Sequence, residues 1–231
     1  MKNQNKIIVF ANQKGGVGKT TLCILYANYL HEQGYPLCVI DCDMQQTIFQ
    51  TRQFDENNLM EEDDVIPYSV QAFSIKDPKD VAKMIQKAKE IPGTVLIDAP
   101  GNIAQEGLVP IFVGADAIVT PYQYEKGCIG STSTFFKVIN MLQATYEDMN
   151  PEIILVPNRI DTRIGTKAEL STWSATDSLL AGFGKIVKSI RALADIQRYN
   201  TLQLLPSQKK AVEPTFKAIN KIIYSKSKQS L

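Results

Sequence analysis

The chain has 231 residues, of which 44% are hydrophobic and 21% charged, and its formal net charge is +1. That composition is ordinary for a globular protein and excludes a disordered or fibrous chain; the length suits one large domain or two small ones. Taken alone, the near-neutral total points to neither a nucleic-acid nor a membrane partner.

The polar opening, Met1–Lys6, leads into an apolar run, Ile7–Ala11, that is too short for a signal-peptide core or a membrane span. No stretch of about 18 apolar residues follows, so a soluble, cytoplasmic protein is expected. Short β-branched runs predict strands at Ile7–Ala11, Leu37–Ile40, Ile66–Phe73, Val95–Ile97, Ala117–Thr120 and Ile153–Val156, with a further candidate at Lys185–Ile190. Between them lie helical patterns. Lys19–Gln33 stops at Gly34, a favourable C-terminal residue, and Asp77-Pro78 supplies a cap and a first-turn proline for Lys79–Glu90. Ser131–Tyr146, Lys167–Leu180 and Pro214–Tyr224 complete the expected helices. Apolar strands alternating with helices predict an α/β fold, a mainly parallel, doubly wound sheet covered on both faces. With no internal repeat or Gly/Ser linker, one domain over residues 1–231 is expected. Glu61-Glu62-Asp63-Asp64 reads as a solvated acidic loop. Cys23, Cys38, Cys42 and Cys128 form no CxxC pair and His31 is the sole histidine, so they read as small buried hydrophobes rather than zinc ligands.

Function concentrates after the first strand, in Asn12-Gln13-Lys14-Gly15-Gly16-Val17-Gly18-Lys19-Thr20-Thr21. A strand, a glycine-rich turn and a helix start place the backbone N–H groups of Gly15–Thr20 where they converge on phosphate oxygens. Lys19 would reach the β- and γ-phosphates, and the Thr20 hydroxyl would bind Mg²⁺. The general phosphate-loop pattern fails only at its first position, where Gln13 replaces glycine. Three further segments end predicted strands, where ligands of open α/β sheets bind. Asp41 and Asp43 follow the second strand with shared parity, Asp98 closes Thr94–Ile97, and Asn158-Arg159 closes Ile153–Pro157. Asp98 with phosphate oxygens suits Mg²⁺ rather than Ca²⁺. The amide of Asn158 carries the donor and acceptor needed for an adenine edge, although an Asn turn after a strand would read the same.

The segment Lys14–Thr21 resembles the deviant Walker A motif of the ParA/MinD family of ATPases, and Gln13 is a common variant among its ParA members. The resemblance runs in order and spacing from residue 6 to about 165. It implies ATP and Mg²⁺ as cofactors, with Gly15–Thr21, Asn158 and Arg159 lining the nucleotide. It also implies a homodimer formed on ATP binding, with Lys14 crossing the interface to the partner's phosphates. Asp41-Cys42-Asp43-Met44-Gln45 resembles the family's switch segment, with Met44 in place of its proline. Asp43 would then position the attacking water, Asp41 would support the Mg²⁺ shell, and Asp98 would be the Walker B acid. Arg159 is left to base stacking or to the interface. The related iron–sulfur branch is rejected because no Cys lies between Cys42 and Cys128, and the cluster-carrier branch because no C-terminal CxxC exists.

From Lys185 onward ten basic residues face two acids, a net +8 that leaves −7 over residues 1–184. That concentration suits sequence-independent contact with DNA phosphates, with Lys185, Lys188, Arg191, Arg198, Lys209 and Lys210 as candidates; a solvated lysine-rich surface is the competing view. No helix-turn-helix precedes the phosphate loop, so the chain resembles the short ParA type that partitions plasmids or mobile elements. By that resemblance it would work with a ParB-like stimulating protein on the bacterial nucleoid. Two alternatives stay open: a MinD-like membrane-associated ATPase, disfavoured because Pro214–Tyr224 suits a sheet-covering helix, and a small-molecule ligase on the same fold.

Overall fold

The computed structural model describes residues 2–59, 65–161, 163 and 166–225. The acidic tetrad Glu61–Asp64 and the last two basic residues, Lys226 and Lys228, lie outside them. Seven parallel strands form one sheet: β1 (Lys6–Phe10), β2 (Leu37–Asp41), β3 (Ser69–Ala72), β4 (Thr94–Asp98), β5 (Ala117–Tyr122), β6 (Glu152–Pro157) and β7 (Lys185–Ile186). Their spatial order is β3-β2-β4-β1-β5-β6-β7, with β1 flanked by β4 and β5. The helices are α1 (Lys19–Glu32), α2 (Thr47–Asn57), α3 (Pro78–Glu90), α4 (Leu108–Gly114), α5 (Lys126–Thr145), α6 (Lys167–Leu180), α7 (Ala194–Gln197) and α8 (Pro206–Tyr224).

A sheet buried on both faces uses apolar residues at consecutive positions and sends alternate ones to opposite sides. In β1, Ile7 and Val9 pack toward α3, α4 and α5 with Val81, Phe112 and Phe135, whereas Ile8 and Phe10 pack toward α1 and α8 with Leu22, Leu25 and Phe216. Helix α1 is buried at eleven of its fourteen positions and therefore carries no one-sided apolar stripe. Its Tyr26 stands edge-on to Phe216 of α8, with ring centroids 5.1 Å apart, and its hydroxyl donates to Asn220.

Several elements depart from expectation. Helix α8 begins eight residues before Pro214, with Pro206 in its first turn and Pro214 in its interior. An interior proline lacks the N–H of its turn and costs about 3 kcal/mol. Burial of Val212, Phe216, Ile219 and Ile223 holds the turn regardless. The same burial assigns that stripe to the core. No helix among the described residues is long and apolar enough to cross a membrane. Helix α5 starts five residues before Ser131, its first turns carrying Gly127 and Gly130. The predicted strands Ile66–Phe73 and Lys185–Ile190 shorten to β3 and β7, while α2, α4 and α7 were not expected. All four cysteines are free; Cys23, Cys42 and Cys128 are buried and Cys38 is partly so.

Candidate functional site: a phosphate loop at the sheet's carboxyl edge

The loop joining β1 to α1 lies at the carboxyl ends of β1, β2, β4 and β6. Helix α1 opens on Gly18, which adopts φ 97° and offers no side-chain cap. The first N–H groups of α1 are thus left for an external acceptor, and the helix dipole favours an anion there. Gly18 is required twice over, because a Cβ would also stand 2.4 Å from Asn158 Nδ2. Two neighbours brace the loop from β6. Asn158 Nδ2 donates to the Val17 carbonyl and Arg159 Nη1 to the Gly16 carbonyl, each at 2.8 Å. Asn12, which sequence reasoning passed over, anchors the other side. Its buried amide donates to the Pro121 carbonyl (2.8 Å) and Thr132 Oγ1 (2.9 Å), while its oxygen accepts the Lys14 N–H.

The Lys19 side chain is only 8% exposed. Burial lowers its pKa, opposed by the charges of Asp98 and Asp43 nearby. A Cβ on Gly101 would lie 3.5 Å from its Nζ, so the backbone after β4 runs beside the ammonium. Thr20 Oγ1 donates to Asp98 Oδ2 at 2.7 Å. The other oxygen, Asp98 Oδ1, is buried and has no hydrogen-bond partner among the described residues. Burial pushes the Asp98 carboxyl up to about 7; the Thr20 hydroxyl and Lys19 oppose the rise, and Asp41 and Asp43 add to it. A buried carboxylate with one spare oxygen next to a threonine hydroxyl fits a Mg²⁺ ion that takes few protein ligands and fills its shell with phosphate and water. No group of three acidic or His/Cys residues suited to a metal occurs among the described residues.

Asp41 is engaged elsewhere. Its Oδ2 accepts the N–H groups of Ile48 (2.8 Å) and Phe49 (3.1 Å), and its Oδ1 accepts that of Asp43 (3.2 Å). Both oxygens therefore cap the first turn of α2 and the segment before it. Desolvation raises the Asp41 pKa, and the three backbone donors hold it down. Asp43 stands half-buried on that segment, accepting the Gln45 N–H at 2.9 Å, while Met44 beside it is 74% exposed. Lys14 is half-buried and makes no ion pair among the described residues. Asn158 Oδ1 is another buried acceptor with no partner among the described residues.

The six basic candidates differ in their partners. Lys185 opens β7 at the amino end of the sheet, opposite the phosphate loop, and pairs with Glu152 at 2.9 Å. Lys209 pairs with Glu32 at 2.8 Å and Arg198 with Asp195 at 3.6 Å. Lys188, Arg191 and Lys210 are exposed and make no ion pair among the described residues.

Sheet, loop and carboxylates together define a nucleotide-binding protein built on a phosphate loop. Residues 8–208 match the family model of the CobQ/CobB/MinD/ParA nucleotide binding domain, and the chain belongs to that family. A 115-residue stretch is 24% identical to Protein ParA of Rhizobium radiobacter, covering 50% of this chain and 47% of that one, about half its length. The fold superimposes on Cyanothece McdA in complex with ATP (TM-score 0.70, 16% identity, 95% and 96% of the two chains). It also matches septum site-determining protein MinD with Mg-ADP from Pyrococcus horikoshii (TM-score 0.66, 16% identity, 96% and 99%).

Proposed function

We propose that the chain is a ParA-type ATPase. Two copies, each holding Mg²⁺-ATP, form a dimer that binds DNA without sequence preference, and a ParB-like partner stimulates hydrolysis and release. The cycle would distribute a plasmid or mobile element over the nucleoid. The observation that carries this reading is the uncapped start of α1, with Lys19, the Thr20–Asp98 pair and Asp43 gathered around it.

The residues divide the work by position. The N–H groups of Gly15–Thr21 and the Lys19 ammonium bind the phosphates, and Thr20 with Asp98 holds the ion. An ion held there would supply the positive charge that offsets the build-up on the phosphoryl oxygens. Asp43 orients the attacking water, while Asp41 fixes the segment on which Asp43 stands. Lys14, supplied across the dimer, stabilises the developing charge as an arginine finger does. Asn158 Oδ1 presents an acceptor for an exocyclic amine of the base.

DNA binding is expected to require ATP and to weaken by about 10³-fold or more between 50 and 200 mM salt, given six or more phosphate contacts. A filter or fluorescence assay at the two salt concentrations measures it. Binding to anionic liposomes without DNA binding would favour the MinD-like alternative, and turnover dependent on a carboxylate co-substrate would favour a ligase. Replacing Asp43 with alanine should preserve ATP affinity within about threefold and reduce hydrolysis about 100-fold or more, as expected when a group acting on the attacking water is lost. The ATP-bound dimer should then accumulate on size-exclusion chromatography; wild-type turnover by this variant would remove Asp43 from the mechanism.

A further inference from the structure

Helix α2 is lightly held by apolar contacts. Of its eleven residues only Ile48 and Arg52 are buried. Its first turn is fastened by the Asp41 carboxylate, and its last turns by a polar latch on the segment between α7 and α8. Thr201, at the centre of that latch, is completely buried. Its Oγ1 accepts from Arg52 Nε (2.8 Å) and donates to Asp55 Oδ2 (2.7 Å). The Thr201 N–H donates to the same Asp55 oxygen at 2.6 Å, and its carbonyl accepts from Arg52 Nη2 at 2.8 Å. Arg52 also donates to the Tyr68 carbonyl and lies over the Tyr68 ring, 4.5 Å from its centre. No buried side-chain polar atom of this cluster lacks a partner among the described residues.

A buried charged cluster contributes little net stability compared with apolar packing, but when every member is satisfied it admits one arrangement. The residue that ends α7, just before the segment that carries Thr201, reaches the nucleotide loop: Gln197 accepts from Arg159, which itself holds Gly16. The segment itself is tied to α1, where Asn28 donates to the carbonyls of Asn200 and Gln203 at 2.8 Å.

We propose that Thr201 is a positioning residue for hydrolysis: through Arg52 and Asp55 it fixes α2, and through the first turn of α2 it fixes the segment bearing Asp43. This rests on the ATPase reading above. The threonine touches neither nucleotide nor metal ligand in the proposed site; it acts by holding the far end of the helix whose near end Asp41 caps.

The test compares wild type with Thr201→Val, which keeps the shape and removes the hydroxyl, and Thr201→Ser, which restores it. Hydrolysis is expressed per bound nucleotide, with binding stoichiometry from AMPPNP titration. Thr201→Val should lower kcat about tenfold or more, the loss that follows when a buried donor and acceptor are left unpaired, with the KM for ATP within threefold and one nucleotide per chain. Thr201→Ser should recover most of the rate. An unchanged kcat, or a rise in KM and loss of stoichiometry in step with kcat, overturns the proposal. Hydrogen exchange of the nucleotide-free protein provides an arm independent of catalysis. The amides of residues 47–57, including those of Ile48 and Phe49, should exchange about tenfold faster in Thr201→Val and normally in Thr201→Ser. Unchanged exchange there overturns the latch even if the protein proves to hydrolyse nothing, whereas accelerated exchange in an inactive wild-type background overturns only the ATPase reading.

Discussion

Replacement of Lys19 by alanine is expected to reduce Mg²⁺-ATP affinity by at least about 100-fold. A lysine ammonium bridging two phosphate oxygens makes charge-assisted hydrogen bonds worth roughly 1.5–3 kcal/mol each, and two of them span that range of affinity. The structure sharpens the expectation, because the ammonium is already desolvated before any nucleotide arrives. Burial lowers the Lys19 pKa, and only the charges of Asp98 and Asp43 offset it. A cation held in this way gives up little hydration when phosphate replaces water, so most of its attraction is available for binding. Lys19→Arg should not rescue the loss, since a planar guanidinium is bulkier than the slot that leaves Lys19 8% exposed. Isothermal titration with ATP and Mg²⁺ measures the effect. Affinity within threefold of wild type would show that the backbone N–H groups bind the phosphates without it.

The second large effect concerns Asp98 and has opposite signs with and without the metal. In the nucleotide-free protein the Asp98 carboxyl lies near 7, above the value of about 4 expected in an unfolded chain, chiefly because it is buried. The folded state then binds the extra proton. The associated stability is fully present below about pH 4 and is lost as pH rises through about 7. Asp98→Asn removes the titration. Measured in EDTA, the variant should be more stable than wild type at pH 8 by roughly 2–4 kcal/mol, and the advantage should vanish near pH 4. With Mg²⁺-ATP the order reverses, because the variant lacks the carboxylate that would hold the ion, and turnover should fall by about 100-fold or more. Urea denaturation at the two pH values, paired with an ATPase assay, covers both halves. Equal stability of the two proteins at pH 8 would mean that the wild-type carboxylate is not penalised by burial.

Much of the fold could be read from the chain because its strands are apolar runs between turn signals, and those signals are local. The misses share a cause. Helix α2 has no local start signal: Gln46 precedes it in a left-handed conformation without a side-chain cap, and the cap comes from Asp41, six residues before its first position. Helix α4 reads LVPIFVG, an apolar β-branched run that a strand would also show. Pro214 has the form of a helix start, and only the buried stripe of α8 reveals it as interior. At the site, the phosphate loop and the strand-end acids were legible because their residue types and their place after strands suffice. Asn12 and Thr201 were not. Apart from the Lys14 N–H that Asn12 accepts, their side-chain partners lie more than 100 residues away, so these anchoring roles leave no signal within the segment itself.

The two bonds that Asp41 makes to the N–H groups of Ile48 and Phe49 close the intervening chain into a ring. A closed ring has a fixed circumference, so its members can tilt together but cannot lengthen independently. Asp43 and Met44 both belong to it. A proline in place of Met44 would stiffen one φ angle, a restraint that acts on a single residue. Closure acts on the whole perimeter at once, and for so short a span the entropy of joining its ends is small. Asp43 therefore sits in a loop whose ends Asp41 joins, and the end on α2 belongs to the helix that the Thr201 latch holds.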